Sequence, residues 1–171
     1  MIEGASKTRV EVDAQGKRAT YDEVVVGTVL GEMDWVVTED MVELQCRLDL
    51  DYDEFYSLNS PWGARIAPPQ ITYRPPRWLL SRTYNVRGLF YKWQMENVRP
   101  IRIDEQLHVI CRITDKYVKN DREYIVYSAE ATDTKGEVVF RTERVHVLDV
   151  LERTAPRAGE GIDTGIKAER I

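Results

Sequence analysis

The sequence is poor in cysteine and histidine, and this scarcity excludes several kinds of site. Its 171 residues include two cysteines, Cys46 and Cys111, which lie far apart and form no CxxC pair. The sequence therefore indicates neither a disulfide framework nor a structural zinc site. With only two histidines, His108 and His146, a multi-histidine metal centre is not expected either. We predict no bound metal.

Long apolar segments are missing as well. No run of about 18 apolar residues occurs, so the sequence predicts no membrane span. The first 20 residues lack the apolar core of a secretory signal. Together with the unpaired cysteines, these absences predict a cytoplasmic protein.

Negative charge is scarce in the middle of the chain. The net charge is −5, which argues against general binding of nucleic acid. Residues 65–102 nevertheless contain eight Lys or Arg residues against Glu96 alone, whereas residues 1–64 contain 14 Asp or Glu residues against five Lys or Arg residues. The basic stretch suits a phosphorylated ligand. Alternatively, it pairs with the acidic first third or with another subunit.

Short apolar runs predict strands near the N-terminus and beyond the middle of the chain. Val24–Val26 and Val29–Leu30 have the β-branched composition of strands. Another strand is predicted from Gly88 onward, followed by an irregular passage and a strand entry at Arg102–Ile103.

Capping residues and prolines predict two helices. Thr38 is followed by Glu39–Asp40, and this order starts a helix because the threonine oxygen accepts from a free N–H and the acids complement the helix dipole. Pro76 suits the first position of a second helix, where its missing donor costs nothing. In that helix, Trp78 and Leu79 are expected to face the core.

The last third of the chain has the clearest pattern. Leu107, Val109 and Cys111 alternate with polar or exposed positions, as in a half-buried strand. Two further strand-like stretches follow, separated by turn signals at Asn120–Asp121 and Lys135–Gly136. Three long strands joined by short turns predict an antiparallel meander.

Together these elements predict an α+β fold, with a curved antiparallel β-sheet wrapped around a central α-helix. The sheet needs a cover for its apolar face, and the segment around Trp78–Leu80 is the apolar helix candidate in the middle of the chain. We expect a polar N-terminal segment (residues 1–23), one domain (residues 24–150) and a polar, flexible tail (residues 151–171).

The stretch SPWGARIAPPQ (Ser60–Gln70) suits neither a helix interior nor a central strand. Pro68 and Pro69 have no backbone N–H, and the residue before a proline avoids the helical region. The stretch therefore predicts a rigid corner that can shape a pocket wall and begin a helix.

In their order and spacing, four strings resemble the MaoC-like branch of the hotdog-fold superfamily: VGTVLGEMDWVVTEDMVE, SPWGARIAPPQ, WQMENVRPIRIDEQL and DTKGEVVFRTERVHVL. They cover roughly residues 24–150. The resemblance implies a hotdog fold that binds acyl thioesters of coenzyme A or of acyl carrier protein, with no separate cofactor. It also implies a homo- or hetero-oligomer with another hotdog chain. The family's usual reaction is the reversible hydration of a trans-2-enoyl thioester to an (R)-3-hydroxyacyl thioester.

The family's chemistry uses three groups that this sequence lacks. An Asp-x4-His loop supplies the acid and the base, and a glycine N–H at the start of the central helix stabilises the thioester oxygen. Counted without gaps, Cys46 takes the position of the Asp, Asp51 that of the His, and Pro68–Pro69 that of a His-Gly pair. The sequence thus resembles the non-catalytic hotdog of the family's asymmetric members, in which the other hotdog keeps the catalytic loop.

Two groups of candidate site residues remain. Asp49, Asp51, Asp53 and Glu54 form a carboxylate cluster, which is either an unusual acid–base site, with the three aspartates as its catalytic candidates, or a solvated acidic loop. Arginines of the basic stretch are candidates for phosphate contacts, because a guanidinium presents fixed donors. The residues predicted to bind substrate are Gly63, Arg65, Ile66, Ala67, Pro68, Pro69, Arg99 and Arg102.

The isolated cysteine and histidines are weaker candidates. His108 is expected on the face of its strand that points to solvent, and His146 in the core or at an interface. Cys46 is expected to act as a small buried hydrophobe, because no histidine is near it in sequence.

Three hypotheses of function follow. The chain is a catalytically silent hotdog subunit of an enoyl-thioester hydratase or dehydratase, an active hydratase with a rearranged carboxylate site, or an acyl-thioester-binding protein without enzymatic activity. A neighbouring chain with an intact Asp-x4-His would favour the first hypothesis, and activity of the isolated chain would favour the second.

Overall fold

The computed structural model of the chain describes residues 17–58, 60–86 and 88–148. Residues 1–16 of the predicted N-terminal segment lie outside the described residues, as does the whole predicted tail, residues 151–171. In the described part of the N-terminal segment, Ala19 is already buried in the core.

Strands and helices alternate in the first half of the described chain, and strands dominate the second half. The strands are β1 (Lys17–Arg18), β2 (Val29–Val36), β3 (Tyr84–Asn85), β4 (Leu89–Asn97), β5 (Gln106–Lys119), β6 (Arg122–Thr132) and β7 (Val138–Val147). The helices are α1 (Glu39–Asp49), α2 (Glu54–Ser57) and α3 (Arg74–Thr83), and a 3₁₀ helix (Pro69–Tyr73) leads directly into α3.

Within the described residues, five strands form one sheet in the order β2-β5-β6-β7-β4, and every neighbouring pair is antiparallel. The short strands β1 and β3 pair in parallel beside it. Helix α3 packs mainly against β2 and β5, and its residues Leu79 and Leu80 are completely buried. The predicted α+β class, with an antiparallel sheet around a central helix, is confirmed.

The predicted meander is confirmed in detail. Leu107, Val109 and Cys111 of β5 point into the core, as their alternation indicated. Asn120 and Asp121 both have positive φ, at 51° and 55°, which suits a tight two-residue turn between β5 and β6. Gly136, with φ of 81°, closes the turn between β6 and β7.

Helix α1 begins where the capping pattern predicts. The Thr38 side chain accepts from the Met41 N–H at 3.4 Å, and Glu39 and Asp40 lie in the first turn. The helix ends at Asp49, and the left-handed conformation of its C-cap residue Leu50 (φ 54°) lets the Asp51 N–H bond to the Cys46 carbonyl at 3.0 Å.

Two strand predictions are wrong. Val24–Val26 form no strand, since Gly27 with φ of 91° turns the chain and β2 begins only at Val29. Arg102–Ile103 do not begin β5, because Asp104 has a positive φ of 61° and interrupts the extended chain. Arg102 makes only an isolated bridge to Ile66.

The sheet and α3 are joined through a buried arginine. Arg144 of β7 is 0% exposed and faces the start of α3. Its guanidinium donates to the carbonyls of Thr72 at 2.9 Å and Tyr73 at 2.6 Å, which end the 3₁₀ helix. These charge-assisted bonds fix the junction of the 3₁₀ helix and α3 against the sheet.

The core packing of α3 predicts a clear contrast between two leucines. We expect Leu80→Ala, at a completely buried position, to lower the free energy of unfolding by about 2–5 kcal/mol because it leaves a cavity. Leu48→Ala, on the exposed face of α1, should change it by less than about 0.5 kcal/mol. Urea unfolding followed by circular dichroism measures both, and equal losses would contradict the packing described here.

Candidate functional site

Two adjoining cavities lie between α1, α2 and the corner before α3, and they share Asp53 and Tyr56. The helix cavity, of about 530 Å³, is lined by Val42, Glu43, Cys46, Arg47, Tyr52, Asp53, Tyr56, Ser57 and Arg65. The corner cavity, of about 470 Å³, is lined by Asp53, Phe55, Tyr56, Trp62, Ile66, Ala67, Pro69, Asn97, Val98, Arg99, Pro100 and Ile101.

Helix α2 sets the boundary between the cavities. The Asp53 carboxylate accepts from the Phe55 N–H at 2.9 Å and so caps the short helix. This cap directs Tyr56 to the wall that both cavities share. Phe55 packs edge-on against Trp62, with ring centroids 6.1 Å apart, and gives the corner cavity an aromatic side.

Neither the thiol nor the phenol at these cavities is activated. Burial raises the pKa of Cys46, and the neighbouring Asp51 raises it further. Burial also raises the pKa of Tyr56, again with Asp51 and Asp53 adding to the effect. Both groups therefore stay protonated near neutral pH, which makes Cys46 a poor nucleophile and leaves Tyr56 able to donate a hydrogen bond.

The three candidate catalytic aspartates of the predicted carboxylate cluster have different surroundings. Asp53 lines both cavities and caps α2, whereas Asp49 is exposed and accepts from Gln45 Nε2 at 2.6 Å. Asp51 lies beside Cys46 and Tyr56 but lines neither cavity. Catalysis by these residues stays a prediction.

The predicted rigid corner forms one wall of the corner cavity. Ile66, Ala67 and Pro68 are buried, and Ile66, Ala67 and Pro69 line the cavity. The Ala67 N–H is already bonded to the Ile101 carbonyl at 2.8 Å, and neither proline has an N–H. This wall therefore offers an apolar surface, with no free backbone donor from residue 67 to residue 69.

Gly63 and Gln70 lie within the stretch that forms the corner but do not line either cavity. Gly63 has a positive φ of 76° and closes the turn that begins at Ser60, whose hydroxyl donates to the Ala64 carbonyl at 2.6 Å. Gln70 carries the first backbone N–H of the 3₁₀ helix after the two prolines.

Two of the three candidate arginines are already paired with carboxylates. Arg65, in the helix cavity, bonds to Glu39 and to the Tyr56 carbonyl. Arg99, in the corner cavity, bonds to Glu105 at 2.6 Å and to Asp133 at 2.9 Å.

Arg102 is exposed and lines neither cavity. Pairing thus accounts for part of the basic stretch, and phosphate binding by the three arginines stays a prediction.

Neither histidine of the chain reaches these cavities. His108 lies on the outer face of the sheet, with Nδ1 2.9 Å from Asp34, and this hydrogen bond raises its pKa. His146 is buried on the inner face of β7 between Phe90 and Tyr127, at ring-centroid distances of 5.0 and 5.5 Å.

A larger depression, of about 610 Å³, lies on the outer face of the sheet, and several of its charged side chains form ion pairs. Arg141 bonds to Glu130 at 2.8 Å, and His108 bonds to Asp34. No polar group there is both buried and free to meet a ligand among the residues described, so we place the candidate site at the two inner cavities.

The sequence did not single out Tyr56, Phe55 or Asn97. Their position around the cavities depends on α2 and on the course of the chain after β4. No local sequence pattern predicts either of these features. Among the described residues, no group of three His, Cys, Asp or Glu side chains is arranged to hold a metal ion. No helix in that part of the chain is long and apolar enough to cross a membrane.

Burial of His146 makes stability depend on pH. Its pKa is lowered to about 4, chiefly by burial and then by Arg77 and Arg144. The unfolded chain, with a histidine pKa near 6.5, therefore binds a proton that the folded chain does not bind between these two values. The free energy of unfolding therefore has its full value above about pH 6.5 and falls by about 3 kcal/mol in total as the pH drops toward 4.

We expect His146→Phe to flatten the fall in unfolding free energy between pH 7 and pH 4, measured by urea unfolding. His108→Gln is the matched control. The pKa of His108 is raised, so its stabilisation is present at low pH and lost as the pH rises. The control should keep the acid-side fall, and an unchanged slope in His146→Phe would contradict the assignment.

No protein-family model matches the sequence, and no curated protein matches it. Solved structures do match its fold. The R-hydratase PhaJ1 from Pseudomonas aeruginosa has a TM-score of 0.64 at 16% identity, with 78% of this chain and 87% of that chain covered. A MaoC-like dehydratase has a TM-score of 0.66 at 21% identity, with 77% of this chain and 44% of that chain covered.

The HadBC 3R-hydroxyacyl-ACP dehydratase complex of Mycobacterium tuberculosis matches with a TM-score of 0.58 at 14% identity, over 71% of this chain and 99% of that chain. The strand order and the central helix of this chain agree with these structural similarities. The chain therefore has the hotdog fold that these solved structures share.

Proposed function

We propose that this protein is an acyl-thioester-binding hotdog subunit of an enoyl-thioester hydratase or (R)-3-hydroxyacyl-thioester dehydratase. In this proposal a second hotdog chain supplies the Asp/His catalytic pair. The hotdog fold shared with hydratases and dehydratases supports the reaction class. The coenzyme A or acyl-carrier-protein thioester is the substrate, and no other cofactor takes part.

The observation that carries the proposal is the proline corner. In the resembled family, the thioester oxygen is stabilised by an N–H at the start of the central helix. Here that position is Pro69, and the N–H of Ala67 is already used by the Ile101 carbonyl. Loss of one such donor costs about two to three orders of magnitude in rate.

The acid–base groups are also missing from the position where the family carries them. Cys46 is buried and its pKa is raised, so the thiol is a poor base. The carboxylates near it are Asp51 and Asp49, and no histidine lines either cavity. Loss of a positioned acid or base costs roughly another two to four orders of magnitude.

Binding can survive these losses, because an acyl tunnel needs shape and apolar surface more than reactive groups. The volumes of both cavities fall within the range of small-molecule sites, which is about 300–1,000 Å³. The corner cavity has apolar walls at Ile66, Ala67 and Pro69 and polar groups at Tyr56 and Arg99. This mixture suits an acyl chain attached to a polar thioester head.

One observation favours the alternative of a rearranged carboxylate site. Asp51 lies close enough to Tyr56 to raise the pKa of its phenol, so the two could form an acid–base pair. In that case the Asp51 carboxylate would take a proton from water as the water oxygen bonds to the β-carbon of the enoyl group, and it would return this proton to the α-carbon. Tyr56 would donate a hydrogen bond to the thioester oxygen. A binding protein without any enzyme partner is the remaining alternative.

Hydration of crotonyl-CoA and longer enoyl-CoA by the purified chain, followed by loss of enoyl absorbance, tests the proposal. We expect a rate about four to seven orders of magnitude below that of an intact hydratase, from the separate losses taken together. Robust turnover that Asp51→Asn abolishes would replace the proposal by the rearranged-site alternative.

A gain of function makes the test sharper. We expect the combined change Cys46→Asp, Asp51→His and Pro69→Gly to raise the hydration rate at least about a hundredfold, because it restores the acid, the base and the N–H. The matched control carries Asp51→Gln in place of Asp51→His and should stay inactive. Equal rates in the two variants would show that these positions do not form the family's site.

A further inference from the structure

The helix cavity and the corner cavity are separate spaces that adjoin, and Tyr56 lies at their boundary. Of the described residues, Asp53 and Tyr56 line both cavities. Asp53 is exposed, and its carboxylate is engaged with the Phe55 N–H as the cap of α2. The ring of Tyr56 is half-buried and packs against the core, so it is the bulky group at the boundary.

Contacts with the corner and with α1 hold this boundary in place. The Arg65 guanidinium donates to the Tyr56 carbonyl from Nε at 3.2 Å and from a terminal nitrogen at 3.1 Å. Arg65 is itself paired with Glu39 of α1. The Ile66 N–H donates to the Phe55 carbonyl at 3.2 Å, which ties the neighbouring residue of α2 to the corner as well. The backbone of Tyr56 is thereby fixed, and its ring keeps a defined place between the cavities.

The corner cavity has a buried floor and an exposed mouth. Ala67 and Ile101, which are 5% and 4% exposed, belong to the floor. Trp62 and Val98, which are 48% and 51% exposed, lie at the mouth. An apolar chain that enters at the mouth lies along this floor, and Tyr56 closes the side of the cavity that faces α1.

The helix cavity, on the other side of Tyr56, has a different character. Charged and hydroxyl side chains make up most of its lining: Glu43, Arg47, Tyr52, Asp53, Ser57 and Arg65. An apolar chain placed there would displace water from these groups without replacing the hydrogen bonds that the water makes, which costs free energy. A chain long enough to pass Tyr56 therefore gains little from the helix cavity.

We propose that Tyr56 limits the length of the acyl chain, so that the substrates are thioesters of short and medium straight-chain acids whose chain ends against its ring. The inference rests on the proposed function, because it names the substrate class of the same site. Each methylene buried in the corner cavity strengthens binding about fourfold. Once the chain reaches Tyr56, additional methylenes find no apolar space, and the affinity stops rising.

Calorimetric titration of the purified chain with saturated acyl-CoA, from butanoyl-CoA to tetradecanoyl-CoA, tests the limit. We expect the wild-type dissociation constant to fall about fourfold with each added carbon and to level off before tetradecanoyl-CoA. In Tyr56→Ala the plateau should move to chains at least about two carbons longer, because the space of the removed ring becomes available. Tyr56→Phe is the matched control, since it keeps the ring and should keep the wild-type plateau.

Three results of this titration would overturn the proposal. They are a wild-type affinity that still rises at tetradecanoyl-CoA, a plateau in Tyr56→Ala at the wild-type chain length, and a shifted plateau in Tyr56→Phe, which would assign the limit to the hydroxyl instead of the ring. If circular dichroism shows that Tyr56→Ala is unfolded, Tyr56→Leu takes its place. This smaller truncation should move the plateau by about one carbon.

A second series of ligands separates this inference from the proposed function. The 1-alkanols from butanol to dodecanol carry an apolar chain but neither a thioester nor coenzyme A. If the alkanols show the plateau and its shift in Tyr56→Ala while no thioester binds, the proposed function falls and the limit at Tyr56 stands. If thioesters bind but Tyr56→Ala leaves the plateau unchanged, the limit falls and the proposed function stands. Binding of neither series would overturn both.

Discussion

The buried guanidinium of Arg144 is the contact on which the inner side of the fold depends. It extends from β7 and donates to the last two carbonyls of the 3₁₀ helix, at Thr72 and Tyr73, while it lies against the rings of Tyr73 and Trp93. A cation without a carboxylate partner is expensive to bury, so these carbonyls and rings must stay in place around it. The sheet, the start of α3 and the edge strand are thereby held together at one point.

This constraint reaches the candidate site through the 3₁₀ helix. The end of that helix is fixed to the sheet by Arg144, and its beginning, Pro69, forms the wall of the corner cavity. The prolines hold the backbone of this wall rigid, and they also remove the N–H groups that could stabilise negative charge there. The geometry thus leaves an apolar wall without a free backbone donor at the place where the proposed function puts the acyl group.

The features predicted from the sequence are those that local patterns determine. Alternation placed Leu107, Val109 and Cys111 in the core, and Thr38 marked the start of α1, because each signal acts within a few residues. Predictions failed where one backbone angle overrode composition, as Gly27 did after Val24–Val26 and Asp104 after Arg102–Ile103.

Local patterns do not predict positions that depend on packing between residues far apart in the sequence. Tyr56 reaches the cavity wall only because Asp53 caps α2, and Arg144 meets Tyr73 across 71 residues of sequence. Arg144 alternates with exposed positions of its strand, and nothing in this pattern indicates that an arginine there is buried. Only the register of β7 against β4 and β6 turns it inward.

The central claim is that the corner cavity holds an acyl thioester, and calorimetric titration with octanoyl-CoA tests it most directly. Ala67→Leu fills the cavity wall, whereas Ala64→Leu adds the same atoms in the adjoining turn, outside both cavities. The account predicts binding by the wild-type chain, a dissociation constant at least about tenfold weaker in Ala67→Leu, and little change in Ala64→Leu, with all three folded by circular dichroism. Absence of binding in the wild type, or equal affinity in the two variants, would contradict it.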